Sequence, residues 1–247
     1  MNPAYERVYH HHVRKTAGTS LNSAFWALAG LDLKQMSSHP VVERNGLKFV
    51  RGGNRELIAK GDYFFANSHQ PAYDLTLPPS TFSITILRDP ASRVISYYRY
   101  LLWARRNATA GEAEPFIEDV VAESAFLNRR LSLRRRESGF REFLARVPPP
   151  HLWAQLQMFS ERLDPAEAAE RALACSAVCF TETYTEDLKR ISSTLQLDLR
   201  ERQERRFGEK VVLADDELEL LRDRLAPEYA MIESVRRESR RCYDPAR

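Results

Sequence analysis

Lys15 stands in a run of small and hydroxyl-bearing residues, Lys15-Thr16-Ala17-Gly18-Thr19-Ser20. Such a run can hold an anion. Lysine brings a full positive charge, Thr16, Thr19 and Ser20 bring hydroxyl donors, and Gly18 lets the backbone approach closely. The preceding stretch, Arg7 to Val13, is short and rich in β-branched, aromatic and histidine residues, the pattern of a strand. From Thr19 onward the apolar residues Leu21, Ala24, Phe25 and Leu28 recur at helical spacing. Strand, small-residue turn and helix start together form a phosphate cradle, because the first helical turn carries unpaired N–H groups and a partial positive charge. Thr19 and Ser20 have a plainer reading as helix caps, and capping uses the same N–H groups.

The order of parts separates this segment from the ATP-binding P-loop. There the lysine follows the last glycine and a Ser or Thr beside it holds magnesium, whereas Lys15 precedes Gly18. The run HVRKTAGTS instead resembles the 5'-phosphosulfate loop of the sulfotransferases, close to H-x-P-K-T-[AG]-[GS]-T-[ST] in the glycan-modifying branch, with Arg14 where proline is common. A second stretch, ITILRDPASRVISYY from Ile84 to Tyr98, looks like that family's 3'-phosphate motif. A strand ends in Arg88, and Ser96 follows eight residues later on a helix. The resemblance implies a PAPS-dependent O-sulfotransferase nearest the heparan sulfate 2-O/6-O-like branch, as a soluble bacterial member. It assigns donor binding to Arg14, Lys15, Thr16, Ala17, Gly18, Thr19 and Ser20, and the donor's 3'-phosphate to Arg88 and Ser96. The donor would be 3'-phosphoadenosine 5'-phosphosulfate (PAPS), the product adenosine 3',5'-bisphosphate (PAP), and no metal is implied. Lys15 would also be catalytic, neutralising charge on the oxygen between phosphate and sulfate as that bond breaks.

An acceptor hydroxyl must lose a proton, and His69 is the expected general base. It follows the apolar run Asp62 to Asn67, between the two donor motifs. Its rivals are weaker. His10, His11 and His12 lie in the first strand, where packing or hydrogen bonding is the expectation, and alternate residues of a strand face opposite sides, so three in a row make no metal site. His39 and His151 sit in loops. Glu182, after the apolar Val178 to Thr181, is the alternative base. Arg88 could pair with Asp89 or Asp119, and Arg93 reads as structural. The basic residues Arg129, Arg130, Arg134, Arg135, Arg136 and Arg141 read as a solvated helix face. Arg205, Arg206 and Lys210 match a late phosphate-binding loop too weakly to count as sites.

These residues need elements to hold them. Buried strands are expected at Asp62 to Asn67, Phe82 to Leu87 and Val178 to Thr181, and a short strand at Leu47 to Val50 with loops across the rest of Leu31 to Lys60. Helices are expected from Asp89-Pro90 to about Arg106, over Phe116 to Phe143 with a break near Gly139, from Asp164-Pro165, over Glu186 to Leu195, and in two closing segments, Asp215 to Leu225 and Pro227 to Arg241. A loop is expected from Asn107 to Pro115. Alternating strands and helices predict an α/β, P-loop-like three-layer fold, with a central parallel sheet flanked by helices and a helical C-terminal part, in one domain over 1–247. Ligands in such sheets bind at the carboxyl ends of the strands, which is where Lys15, His69 and Arg88 fall.

The chain has 247 residues and a formal charge of +3, which favours neither a nucleic-acid binder nor an acidic tail protein. Three cysteines without metal spacing argue against a disulfide scaffold or zinc site, and Cys175 and Cys179 read as small core residues. With no apolar run at the start and no span-length window, the expected place is the cytoplasm, with no membrane partner. The function expected is sulfuryl transfer from PAPS to a hydroxyl of a sugar or small-molecule acceptor, by in-line displacement. The alternatives are a P-loop kinase and a non-catalytic nucleotide or sulfated-glycan binding protein. Acceptor identity and oligomeric state are not encoded in these motifs.

Overall fold

The computed structural model describes residues 1–110, 136–202 and 211–243. Strand β1 (Arg7–His11) leads to α1 (Gly18–Trp26) and the short α2 (Leu33–Ser38). Next come β2 (Val41–Arg44), β3 (Leu47–Arg51), α3 (Arg55–Lys60) and β4 (Phe65–Ser68). Strand β5 (Thr81–Leu87) runs into the long α4 (Pro90–Ala110). Helices α5 (Arg136–Arg146), α6 (Pro149–Leu152), α7 (Ala154–Phe159) and α8 (Pro165–Leu173) precede β6 (Ala177–Phe180) and α9 (Tyr184–Leu195). Helices α10 (Asp215–Arg224) and α11 (Ala226–Tyr243) follow. The Asp-Pro starts behave as caps should. Asp164 accepts from the N–H groups of Ala166 and Glu167, and Asp89 from that of Ser92 (2.8 Å).

The strands form a six-stranded sheet in the order β2-β3-β4-β1-β5-β6. Every neighbouring pair is parallel except β2 and β3. This is the expected α/β fold, with helices on both faces of a mostly parallel sheet. β1 lies between β4 and β5, and His11 stands opposite Ser68 on one side and Thr85 on the other. The chain leaves β1 for one edge, returns through β4, then crosses to β5 and β6. The winding direction therefore reverses at β1, and the loops after β1, β4 and β5 border one crevice.

Alternation along β1 divides its side chains between two faces. Val8 packs with Leu21 and Phe25 of α1 and with Leu188 and Ile191 of α9. Tyr9 packs with Val50, Ile58, Tyr63 and Ala66. Beyond β1, Val13 joins Leu87, Phe159, Met231 and Val235. A further cluster joins α4, α5 and α10 through Leu101, Phe143 and Leu221. Cys175 and Cys179 are free thiols, the second buried in the core. No helix among the described residues is long and apolar enough to cross a membrane.

Several expectations are corrected. The stretch Leu31 to Lys60, read as loops around one strand, contains α2 and α3, capped by Asp32 and Asn54, as well as β2, whose antiparallel pairing with β3 makes the sheet mixed. The turn is Asn45-Gly46, both at positive φ (55° and 74°), the conformation a tight hairpin requires. Gly139 does not break α5, because one glycine weakens a helix without ending it. α4 runs on to Ala110, so the first part of the Asn107 to Pro115 loop is helical. The rest of that loop and the helix expected over 116–135 lie outside the described residues.

Arg93 is structural, as expected, and its partner is Glu228. Both are buried, and Arg93 Nε donates to Glu228 Oε1 (3.3 Å). Arg93 also donates to the carbonyls of His151 (2.9 Å) and Leu152. Glu228 accepts further bonds from Gln155 Nε2 (2.8 Å) and from the N–H groups of Gln155 (3.1 Å) and Leu156 (3.3 Å). Helices α4, α7 and α11 are thus joined through one carboxylate. Glu228→Ala would leave the guanidinium buried without its counter-charge. Breaking such a pair costs about 3–5 kcal/mol, so urea denaturation should show a stability loss of that order.

Candidate active site

The turn after β1 contains two residues in the left-handed region, Lys15 (φ 69°) and Ala17 (φ 64°). Neither is a glycine, and each such conformation costs of order 1–3 kcal/mol. Ala17 is the N-cap of α1, and no side chain caps the helix. Ser20 and Leu21 donate to the carbonyl of Ala17 (2.9 and 3.3 Å), so the N–H groups of Gly18 and Thr19 precede the first intrahelical bonds. Donors at a helix start, with no capping side chain competing for them, suit a phosphate group. The capping reading of Thr19 and Ser20 does not apply, since Ala17 holds that position. Thr19 is half-buried and Ser20 buried, while Thr16 is fully buried and donates its hydroxyl to the carbonyl of Val13 (2.9 Å). Gly18 is required by its neighbours. A Cβ there would lie 2.1 Å from His12 Cδ2 and 2.8 Å from His10 Cε1.

Arg88 follows directly on β5. Its Nη1 donates to the carbonyl of Lys15 (3.2 Å), bringing the two sequence motifs together. Gln155 holds the Arg88 backbone from both sides, accepting from its N–H (2.7 Å) and donating to its carbonyl (3.1 Å). Burial lowers the pKa of Arg88, although an arginine remains charged at neutral pH. The Lys15 ammonium lies over the Tyr100 ring, 4.1 Å from its centroid, an attraction between cation and π-face. Ser96 is half-buried on α4, the helix that also carries Tyr100. Glu182 accepts from Asp89 N–H (3.0 Å) and pairs with Arg236 (3.1 Å), fastening the start of α4 to α11. Asp89 takes the hydroxyl of Tyr229 (3.1 Å).

His69 closes the third side, after β4. Its Nδ1 lies 2.5 Å from the carbonyl of His12. A carbonyl only accepts, so Nδ1 carries the proton and Nε2 the lone pair. That is the tautomer a base needs. Desolvation lowers the His69 pKa and the charge of Arg14 lowers it further, while the bond to His12 opposes both. His69 has an exposed surface, and contact with water tempers the first cause. The imidazole is therefore neutral at physiological pH.

β1 ends at His11, so His12 and Val13 follow the strand expected to contain them, and the three histidines still alternate in direction. His11 packs edge-on to Tyr9 (4.8 Å between centroids) and near Phe159 (5.9 Å). His10 is buried and stacks on His12 (4.9 Å, 23°), which in turn lies 4.4 Å from His69. Asn22 on α1 contacts both, with Oδ1 2.7 Å from His10 Nδ1 and Nδ2 3.4 Å from His12 Nδ1. Among the described residues, no three His, Cys, Asp or Glu side chains gather as a metal site. His39 is exposed, whereas His151 lies in α6 and not in a loop, since Pro149 at the first helical position starts a turn there, and its ring stacks on Tyr97 (5.3 Å). Arg141 pairs with Asp216. Arg129, Arg130, Arg134, Arg135, Arg205, Arg206, Lys210 and Asp119 lie outside the described residues, as does the side chain of Arg136. Sequence reasoning passed over Asn22 and Gln155. Asn22 is signalled only by its place one turn past Gly18, and Gln155 by nothing local.

No family model and no curated protein sequence matches this chain. Among solved structures, it is similar to the crystal structure of a sulfotransferase from Alicyclobacillus acidocaldarius, with 13% sequence identity, a TM-score of 0.38, and coverage of 94% of this chain and 96% of that one. A likeness this loose carries no argument about activity, which rests on the site itself.

Burial holds His10 down at about 4, against the opposing bond from Asn22, and burial followed by the charge of His10 holds His11 at about 3. Both bind protons more readily when unfolded, so their contribution to stability is complete above the ordinary value of 6.5 and is lost as pH falls toward the folded values. Denaturant midpoints should decline from about pH 6.5 downward, with a slope approaching about 1.4 kcal/mol per pH unit for each histidine. His11→Phe, which keeps the aromatic contacts, should make that decline shallower.

Proposed function

We propose that this protein transfers a sulfuryl group from PAPS to a hydroxyl of a sugar or small-molecule acceptor. The observation that carries the reading is the bond from Arg88 to the carbonyl of Lys15, which sets the 3'-phosphate motif against the phosphosulfate loop beside a neutral His69. In this reading Arg14 to Ser20 and the first N–H groups of α1 hold the phosphosulfate, while Arg88 and Ser96 hold the 3'-phosphate. His69 Nε2 takes the acceptor's hydroxyl proton as the acceptor oxygen bonds to sulfur. The bond from sulfur to the bridging oxygen breaks, and its electron pair leaves with the 5'-phosphate of PAP. Lys15 and the helix start stabilise that charge as it grows, where a preorganised donor counts most. The sugar acceptor rests on the resemblance of HVRKTAGTS to the glycan-modifying branch.

Calorimetry should find that PAP binds and that ATP binds much more weakly. Equal affinity would favour a kinase. His69→Ala should reduce transfer by about 10²–10⁴-fold with PAP affinity nearly unchanged. Unchanged turnover would move the base role elsewhere or leave a binding protein. Because the His69 pKa is lowered, the acidic limb of the pH–rate profile should fall below the ordinary histidine value of 6.5.

A further inference from the structure

His12 has more than a packing role. Its backbone carbonyl orients His69, and its ring spans the distance between buried His10 and exposed His69. It is itself half-buried, and its Nε2 lies against Gly18, the first residue of α1, only 2.4 Å from where a Cβ would stand. Asn22 decides what that nitrogen carries. The Asn22 carbonyl accepts from His10 Nδ1, which turns the Asn22 amide toward His12 Nδ1. The amide nitrogen of Asn22 only donates, so His12 Nδ1 is the acceptor and the proton of the neutral ring sits on Nε2.

We infer that His12 is a second catalytic imidazole, a neutral donor whose Nε2–H, fixed by Asn22, bonds an oxygen of the phosphosulfate held at the start of α1. This rests on the transferase reading above. The two neighbouring rings then have opposite duties, His69 accepting a proton through Nε2 and His12 donating a hydrogen bond through Nε2. Their tautomers are set by different partners, a backbone carbonyl and an asparagine amide. The groups facing His12 keep it uncharged. Desolvation comes first, followed by His69, His10, Arg14 and Lys15, all lowering its pKa. A neutral imidazole is an effective donor to developing negative charge when its surroundings prevent protonation. The Asn22 contact also explains why a polar side chain is buried on the inner face of α1.

The test uses the full chain labelled with ¹⁵N-histidine. NMR of the unmutated protein should show His12 in the Nε2–H form at neutral pH, with that proton moving downfield when PAP is added. A proton on Nδ1, or a charged ring, would overturn the inference. His12→Ala should lower kcat by about 10²-fold with a smaller change in donor KM, and His12→Gln, which restores an N–H donor, should recover part of the loss. Asn22→Leu should leave His12 a mixture of tautomers and lower kcat in step. If PAP did not bind, the transferase reading and the donor role built on it would both fall. If PAP bound and His12→Ala kept full turnover, only the donor role would fall.

Discussion

Glu228 is a carboxylate with no exposure to water, and the arrangement of the site depends on how it is satisfied. It takes one bond from Arg93, one from the Gln155 amide and two from backbone N–H groups at the start of α7. Gln155 is thereby locked, and its amide holds both the N–H and the carbonyl of Arg88. Arg88 in turn holds the Lys15 carbonyl. A line of hydrogen bonds therefore runs from the last helix, through the core, to the turn that would carry the phosphosulfate. A desolvated charge tolerates little misplacement, because each lost partner leaves an uncompensated polar group. That intolerance is what makes such a network a rigid mount.

The other side of the crevice is held by packing. Two imidazoles press on Gly18, leaving no room for a methyl group, and the helix begins where they permit. Lys15 and Ala17 pay for this in left-handed backbone conformations. Strain of this kind persists only where the surroundings over-determine it, and it gathers at sites that bind or react. Two depressed histidines in β1 add a second liability, since each can accept a proton when the chain unfolds. The strand that positions the site is thus sensitive to acid, and His12 and His69 beyond the strand ends, whose pKa values burial also lowers, share that liability.

Position at the sheet's switch point unites these devices. The turn with Lys15 follows β1, His69 follows β4 and Arg88 follows β5, and the three strands are neighbours in the order β4-β1-β5. Residues separated by more than 50 positions become adjacent, as His69 and His12 do. His12, His69 and Arg88 each lie one residue beyond a parallel strand that has a neighbour on both sides, so the sheet holds the backbone at each.

Much of this was legible in the chain. The strand-turn-helix around Lys15, the Asp-Pro helix starts, and strands β1, β3, β4, β5 and β6 all follow from local periodicity and capping chemistry, which act over a few residues. The hairpin at Asn45-Gly46 was legible too, but went unread because β2 is short and half polar. Tertiary structure alone decided the rest. That Glu228 meets Arg93, that Gln155 grips Arg88, and that Glu182 is engaged by Asp89 and Arg236 are facts about segments 135, 67, 93 and 54 residues apart. Alternation continued one residue past β1 puts His10 and His12 on one side, yet it cannot say that Asn22 will lie between them or which nitrogen keeps its proton. Those outcomes depend on partners brought near by folding, and a hydrogen bond acts only between groups that the fold has placed about 3 Å apart.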